Sequence, residues 1–281
     1  MRLTQIRNAT ILIEIGEHRI LVDPMLSNVG ALPGFRFFRG ERRKNPLTEL
    51  PTDCRPLMET ATEVLITHEH PDHLDPPALD WMKSHDLKVW CSRQDVANLK
   101  KKGLRAAAIT EDSGDLHVEV IPATHGHGLM GWLMGPVAGY YLSHPNEPTI
   151  YLTSDTVLTD TVKRAIVRLQ PQVIVAPAGT ANFGVGRDVI FSEHELIDFV
   201  NLAQGKVVFN HLESIDHCLM TRSRLRQLIE QSGHTHRVLI PDDGQTIEFP
   251  IDRQAAHVEP SESNEREPGF QKWLTAKFSG T

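Results

Sequence analysis

Cysteine is scarce in this 281-residue chain, which has three, at Cys54, Cys91 and Cys218. An odd, scattered set without a Cys-x-x-Cys pair argues against a disulfide scaffold and a sulfur-rich metal site, and it fits a reducing compartment. Basic charge is not in excess. Lys plus Arg number 29 against 36 Asp plus Glu, a net charge of -7. No global basic field therefore exists to hold a nucleic-acid backbone, and nucleic acid is an unfavoured partner. No stretch approaches the roughly 18 apolar residues of a membrane span. The opening residues Met1 to Asn8 carry no apolar signal core, so the expectation is a cytoplasmic protein acting on a small molecule. What is present is a 40% hydrophobic content, enough for one large domain with a proper core.

The densest chemistry lies in Thr67-His68-Glu69-His70-Pro71-Asp72-His73, directly after the apolar run Val64-Leu65-Ile66. On an extended strand end His68 and His70 point to the same side, because side chains alternate with a period of two. Pro71 turns the chain and suits the first position of a helix, which lets Asp72 and His73 face back toward the two histidines. Neutral imidazoles with one carboxylate suit a borderline divalent ion such as zinc.

Elsewhere the pattern alternates between strands and helices. Residues 9–15 and 19–22 read as a hairpin around Gly16-Glu17-His18, with His18 solvated in the turn. The second strand ends at Asp23, which either orients a ligand histidine or simply starts a turn before Pro24. Residues 27–51 lack periodicity. They read as a flap, with Phe35, Phe37 and Phe38 as an apolar lip and Arg36 and Arg39 for an anionic substrate, or as a solvated basic loop. Helices are expected at 76–85, 92–102 (capped by Ser92), 158–169, after Ser192 with Glu195 completing a capping box, and at 221–231. Strands are expected at 87–91, 116–122, 137–142, 149–153, 173–176, 206–209, 237–240 and 246–249. A domain over 1–250 is followed by a polar tail over 251–281. In the tail Phe270, Trp273 and Leu274 fall at helical spacing, a short amphipathic helix that docks on its own domain or on a partner subunit of a homo-oligomer.

Four β-rich runs end at a candidate ligand: 64–66 at His68, 118–122 near His125, 150–153 at Asp155 and 207–209 at His211. Side chains at one edge of a packed sheet can converge. His127 competes with His125, which comes first off its strand.

The order His68-x-His70-x-Asp72-His73, His125, Asp155, His211 resembles the metallo-β-lactamase superfamily. Within it the pattern looks like the branch of ascorbate-phosphate lactonase and N-acyl-phosphatidylethanolamine phospholipase D. The likeness runs from about Leu3 to Phe249, and the tract 210–218 with the Pro-Asp-Asp-Gly turn looks like uncharacterised bacterial members. It implies an α+β, four-layer αββα sandwich. It also implies two divalent ions, zinc first with manganese or iron as alternatives. One would sit on His68, His70 and His125, the other on Asp72, His73 and His211, with Asp155 bridging. A hydroxide between the metals would attack a small ester, lactone or phosphodiester, with Asp72 as its proton acceptor. His217 is expected at the rim, aiding the leaving group or binding substrate, and Glu213 with Arg36, Arg39 and Phe37 is a substrate-contact candidate. No Cys stands at a second-site position, unlike some true β-lactamases. Diiron members that reduce oxygen usually carry Glu where His70 stands. Other readings are a nuclease of the same fold, an iron-dependent redox enzyme, and a non-catalytic metal-bound sensor.

Overall fold

A computed structural model describes residues 1–109 and 114–250. The chain order is β1 (Arg2–Arg7), β2 (Thr10–Ile15), β3 (His18–Val22), α1 (Cys54–Met58), β4 (Glu63–Leu65), α2 (Pro76–Ser84), β5 (Lys88–Cys91), α3 (Val96–Lys101) and β6 (Arg105–Ala108). There follow β7 (His117–Thr124), α4 (Gly128–Met134), β8 (Pro136–Ser143), β9 (Ile150–Leu152), α5 (Asp160–Leu169), β10 (Val173–Pro177) and α6 (Glu193–Leu202). The last are β11 (Lys206–Asn210), α7 (Arg222–Gln231), β12 (Val238–Leu239) and β13 (Thr246–Glu248).

The strands form two sheets, ordered β13-β1-β2-β3-β4-β5-β6 and β12-β11-β10-β9-β8-β7. In each, an antiparallel portion passes into parallel strands, β3 to β6 in the first and β9 to β12 in the second. The two-residue alternation of side chains builds the layers. Ile11, Ile13, Ile20, Val22, Leu65 and Trp90 face the second sheet and pack with Tyr140, Leu142, Ile150, Leu152 and Val175. Their neighbours Leu12, Leu21, Val64 and Val89 face outward onto Met58, Ala78, Met82 and Leu99 of α1, α2 and α3. On the far side Ile174, Val207 and Phe209 meet Val162 and Ile166 of α5, Phe199 of α6 and Leu225 of α7. This is the expected αββα sandwich. The capping box at Ser192 and Glu195 is present. No helix among the described residues is long and apolar enough to cross a membrane.

Several elements depart from the sequence expectation. β1 was not anticipated, because Thr4 and Gln5 make it look like a polar loop. Both are buried, with Thr4 Oγ1 2.8 Å from Thr246 Oγ1 and Gln5 Nε2 donating to the Asn8 carbonyl. Short α1, alanine-rich β6 and glycine-containing α4 also carry too little periodicity to be read. Ser92 does not cap a helix. Its hydroxyl donates to Asp95, and α3 starts only after that residue. His18 is not solvated in the turn: it opens β3, held between Glu63 and Asp115. The tail and its Phe270, Trp273 and Leu274 helix lie outside the described residues.

Candidate metal centre

Each chemistry-bearing side chain leaves the sandwich at a strand end. Asp23 follows β3, His68 to His73 follow β4, His125 follows β7, Asp155 follows β9 and His211 follows β11. The backbone is bent sharply at these exits. Asp23 (φ 45°), Ser154 (φ 59°) and His211 (φ 57°) are all left-handed, a conformation non-glycine residues hold only when their surroundings fix it. Asn8, in the β1–β2 turn, supplies one such constraint. Its carbonyl accepts from the His211 amide (3.0 Å), and its Nδ2 donates to the Asp72 carbonyl (3.0 Å).

The side chains then converge as two adjoining groups. His68, His70 and His125 each bring a nitrogen within 4.8 Å of the others, and Asp72, His73 and His211 do the same with a carboxylate oxygen and two nitrogens. Asp155 Oδ2 lies between the groups, 3.5 Å from His125 Nε2, 3.3 Å from His73 Nε2 and 3.4 Å from His211 Nε2. Asp72 Oδ2 is 3.3 Å from His211 Nε2, and His73 Nε2 is 3.2 Å from His211 Nε2.

The outer nitrogens of His68, His73, His125 and His211 are engaged, which turns the inner ones toward a common volume. Thr67 Oγ1 donates to Asp23 Oδ2 (2.7 Å), which leaves its oxygen to accept from His68 Nδ1 (3.0 Å). His73 Nδ1 donates to Asp23 Oδ2 (2.8 Å), His125 Nδ1 to the Val189 carbonyl (2.8 Å), and His211 Nδ1 to Cys218 Sγ (3.2 Å). A third ligand-like grouping, Asp23 with His68 and His73, is accounted for by these bonds. Asp23 also accepts from the Thr67 amide (2.8 Å), so both its oxygens are occupied as anchors.

The donor set fits divalent ions. His68 Nε2 is buried with no hydrogen-bond partner. Asp72 and Asp155 are buried carboxylates that face only imidazoles, with no Lys or Arg paired to either among the described residues. Isolated buried carboxylates are costly, and a cation shared with imidazole nitrogens removes that cost.

Charge divides the two groups. Burial holds His68 well below the usual imidazole range, His125 at about 4, and His70 also low. These rings are neutral, as ligands must be. Burial also opposes protonation of His73, but Asp155, Asp23 and Asp72 outweigh it and raise the ring to about 10. His211 is raised well above its ordinary value because Asp155 chiefly overcomes the same burial. Burial would lift both acids, yet Asp72 (beside His73 and His211) and Asp155 (beside His211 and His73) stay well below the usual carboxylate range.

A cavity of about 220 Å³ opens over these groups, lined by Phe35, Phe37, Met134 and Phe183 together with His70, Asp72, His125 and His217. A larger groove, about 590 Å³, lies between β7 and α5, away from the histidines. His217 is buried, stacked on Phe183 at 5.3 Å with Phe35 edge-on at 5.6 Å, and its Nδ1 has no partner. His127 turns outward toward Glu195, at 3.4 Å. Three substrate-contact candidates are not brought to the cavity wall. Glu213 is committed to Arg222, accepting from its backbone amide (2.8 Å) and Nη1 (2.7 Å). Arg39 is exposed and the Arg36 guanidinium packs over Gly40. Phe38 is 68% exposed, so the lip is made by Phe35 and Phe37 alone. Sequence reading missed Asn8, Thr67, Cys218, Met134 and Phe183. Of these only Phe183 carries any signal in the sequence, since it lies in the Gly-rich stretch 178–188 that directly follows the apolar run of β10.

The beta-lactamase superfamily domain model matches residues 18–183. YddR of Bacillus subtilis is 27% identical over 260 residues, 89% of this chain and all of that one. Among solved structures, the isothiocyanate hydrolase from Delia radicum gut bacteria superposes with a TM-score of 0.83 at 28% identity, covering 89% of this chain and 100% of that one. A possible metal-dependent hydrolase from Veillonella parvula gives 0.82 at 27% identity, covering 88% and 98%. The finer likeness to the lactonase and phospholipase D branch is not among these matches. With its sandwich, its strand-end histidines and these relatives agreeing, the chain belongs to the metallo-β-lactamase superfamily, among its metal-dependent hydrolases.

Proposed function

We propose that the chain is a dinuclear hydrolase, loaded with zinc or alternatively manganese or iron, acting on a small uncharged ester, lactone or related carbon electrophile. The observation that carries this reading is the unpartnered, buried His68 Nε2 beside two buried acids that only imidazoles face. His68, His70 and His125 would hold one ion and Asp72, His73 and His211 the other, with Asp155 shared. Bound there, the ions would bring the pKa of a water down toward about 7 and stabilise charge developing on the substrate oxygen. Asp72 lines the cavity floor and is the carboxylate placed to take the water's proton. His217 is held neutral by burial, at about 4, and its ring lines the cavity, where it would meet substrate or leaving group.

The cavity wall selects within the substrate classes. Phe35, Phe37, Phe183 and Met134 offer an apolar lining, and among the described residues no arginine lines it. An anionic phosphodiester would find charge partners only in the bound ions and none in the wall, so the wall favours uncharged substituents. Isothiocyanates, named for one structural neighbour, are uncharged carbon electrophiles of a size suited to such a cavity. The test is a panel of uncharged esters, lactones and isothiocyanates against phosphodiesters and β-lactams, using zinc-reconstituted protein. Preference for the uncharged carbonyl-type substrates is expected. Faster phosphodiester cleavage, with salt-sensitive nucleic-acid binding, would replace this reading with the nuclease one.

A further inference from the structure

Asp216 stands one residue before the cavity histidine and has no part in the chemistry above. It is buried, and no Lys or Arg side chain pairs with it among the described residues. What it accepts are amides. Oδ1 takes the Phe35 N–H (2.8 Å) and Asn45 Nδ2 (3.0 Å), while Oδ2 takes the N–H groups of Arg36 (3.3 Å) and Arg43 (3.2 Å). Asn45 closes the contact by accepting from the Asp216 amide (2.8 Å).

Every one of these donors belongs to the 27–51 segment, which has no strand or helix of its own, only a bridge between Leu32 and Asn45. Its bonds to the rest of the domain lie mainly near its two ends, at Ser27, Leu47 and Thr48, and at Phe38, whose N–H donates to the Phe183 carbonyl (3.1 Å), so Asp216 is what fixes the stretch at 35, 36 and 43. Gly34 shows how closely it is drawn in: a Cβ there would lie 2.7 Å from Asp216 Oδ2 and 2.4 Å from the Arg43 carbonyl. Phe35 is thereby delivered edge-on to His217, and Phe37 to Phe183 at 5.9 Å.

The geometry assigns Asp216 the role of a specificity-determining positioning residue. Through backbone amides it holds the aromatic lip at the distance that grips an apolar substituent of the substrate. This rests on the reading that the cavity receives the substrate. Asp216 touches neither substrate nor metal ligand side chains, so its effect falls on the wall and not on the reacting atoms.

Asp216→Asn tests it without changing shape. Whichever way the new amide turns, its NH₂ faces two donors. In the metal-loaded full chain, hydrogen exchange at the Phe35, Arg36 and Arg43 amides should speed up about tenfold or more, with β4 and β11 unchanged. KM for an aryl-substituted ester should rise about tenfold, while its kcat, and both constants for the acetyl analogue, stay within about twofold. Unchanged exchange at 35, 36 and 43, or equal losses on both esters, would overturn the assignment. Asn45→Ala withdraws one donor from Oδ1 and the acceptor of the Asp216 amide, leaves the three backbone donors in place, and gives the same two readouts if the first variant does not fold. If the unmutated protein turned over neither ester, the hydrolase proposal would fail. The exchange result would still decide whether Asp216 positions the lip.

Discussion

The two halves of the candidate metal centre pose different electrostatic problems. His68, His70 and His125 make a purely imidazole group, kept neutral by burial. Asp72, His73 and His211, with Asp155 alongside, make a group in which buried acids draw positive charge to themselves. In the first half a cation is invited by unshared nitrogen lone pairs. In the second the buried carboxylates hold protons on His73 and His211, which a cation would displace. The anchors differ as well. Thr67 and a backbone carbonyl hold the first half, a carboxylate and a thiol the second.

The comparison breaks most severely at the residue both halves share. Asp155→Ala should lower kcat/KM by about 10³-fold or more. Elemental analysis should show metal lost from both positions. Retention of one full equivalent with near-normal turnover would mean the halves are independent. Next in size is Asp23→Ala, which frees His73 Nδ1. Second-half metal affinity should fall about 10- to 100-fold, and that of the imidazole half by less, because Asp23 reaches His68 only through Thr67, as read by competition with a chromophoric chelator.

Protons separate the halves without mutation. In metal-free protein His125 has a folded pKa of about 4, below its unfolded value of about 6.5. The unfolded chain then binds more protons, so this half makes stability rise with pH from about 4 to 6.5. His73 is raised to about 10, so its contribution is complete below about 6.5 and is lost as pH climbs to 10. Chelated protein should therefore show a melting maximum near neutrality and a falling alkaline limb. His73→Gln should flatten that limb. Metal uptake at pH 8 should release protons, seen as a buffer-dependent heat in calorimetry. The smallest effect belongs to Cys218→Ala. A thiol is a weak acceptor, so second-half affinity should drop by less than about tenfold in the same chelator assay.

Legibility in the sequence followed the range of the interaction. The His-x-His-x-Asp-His cluster could be read because strand and turn geometry act over six residues. His125, Asp155 and His211 could be read because each follows an apolar run. Asp23 could be proposed but not matched to a particular histidine, since its contact with His73 spans fifty residues. Asn8, Thr67 and Cys218 gave no signal. Their importance is a hydrogen bond to a partner that only the tertiary fold supplies. The two readings of the 27–51 loop, flap or solvated basic loop, could not be separated in the sequence for a related reason. Charge in a loop says nothing about which way it turns, and here Phe35 and Phe37 took the inner side while Arg39 took solvent. The sandwich itself was readable from alternation, except where buried polar residues disguised β1.

The Asn8 turn carries a consequence for how the protein matures. It ties the first hairpin at once to Asp72 and to His211, near the opposite end of the described chain. The carboxylate half of the centre therefore does not exist in a nascent fragment lacking β11. An ion bound there would therefore be taken up only after β11 has been made and has closed onto the first hairpin.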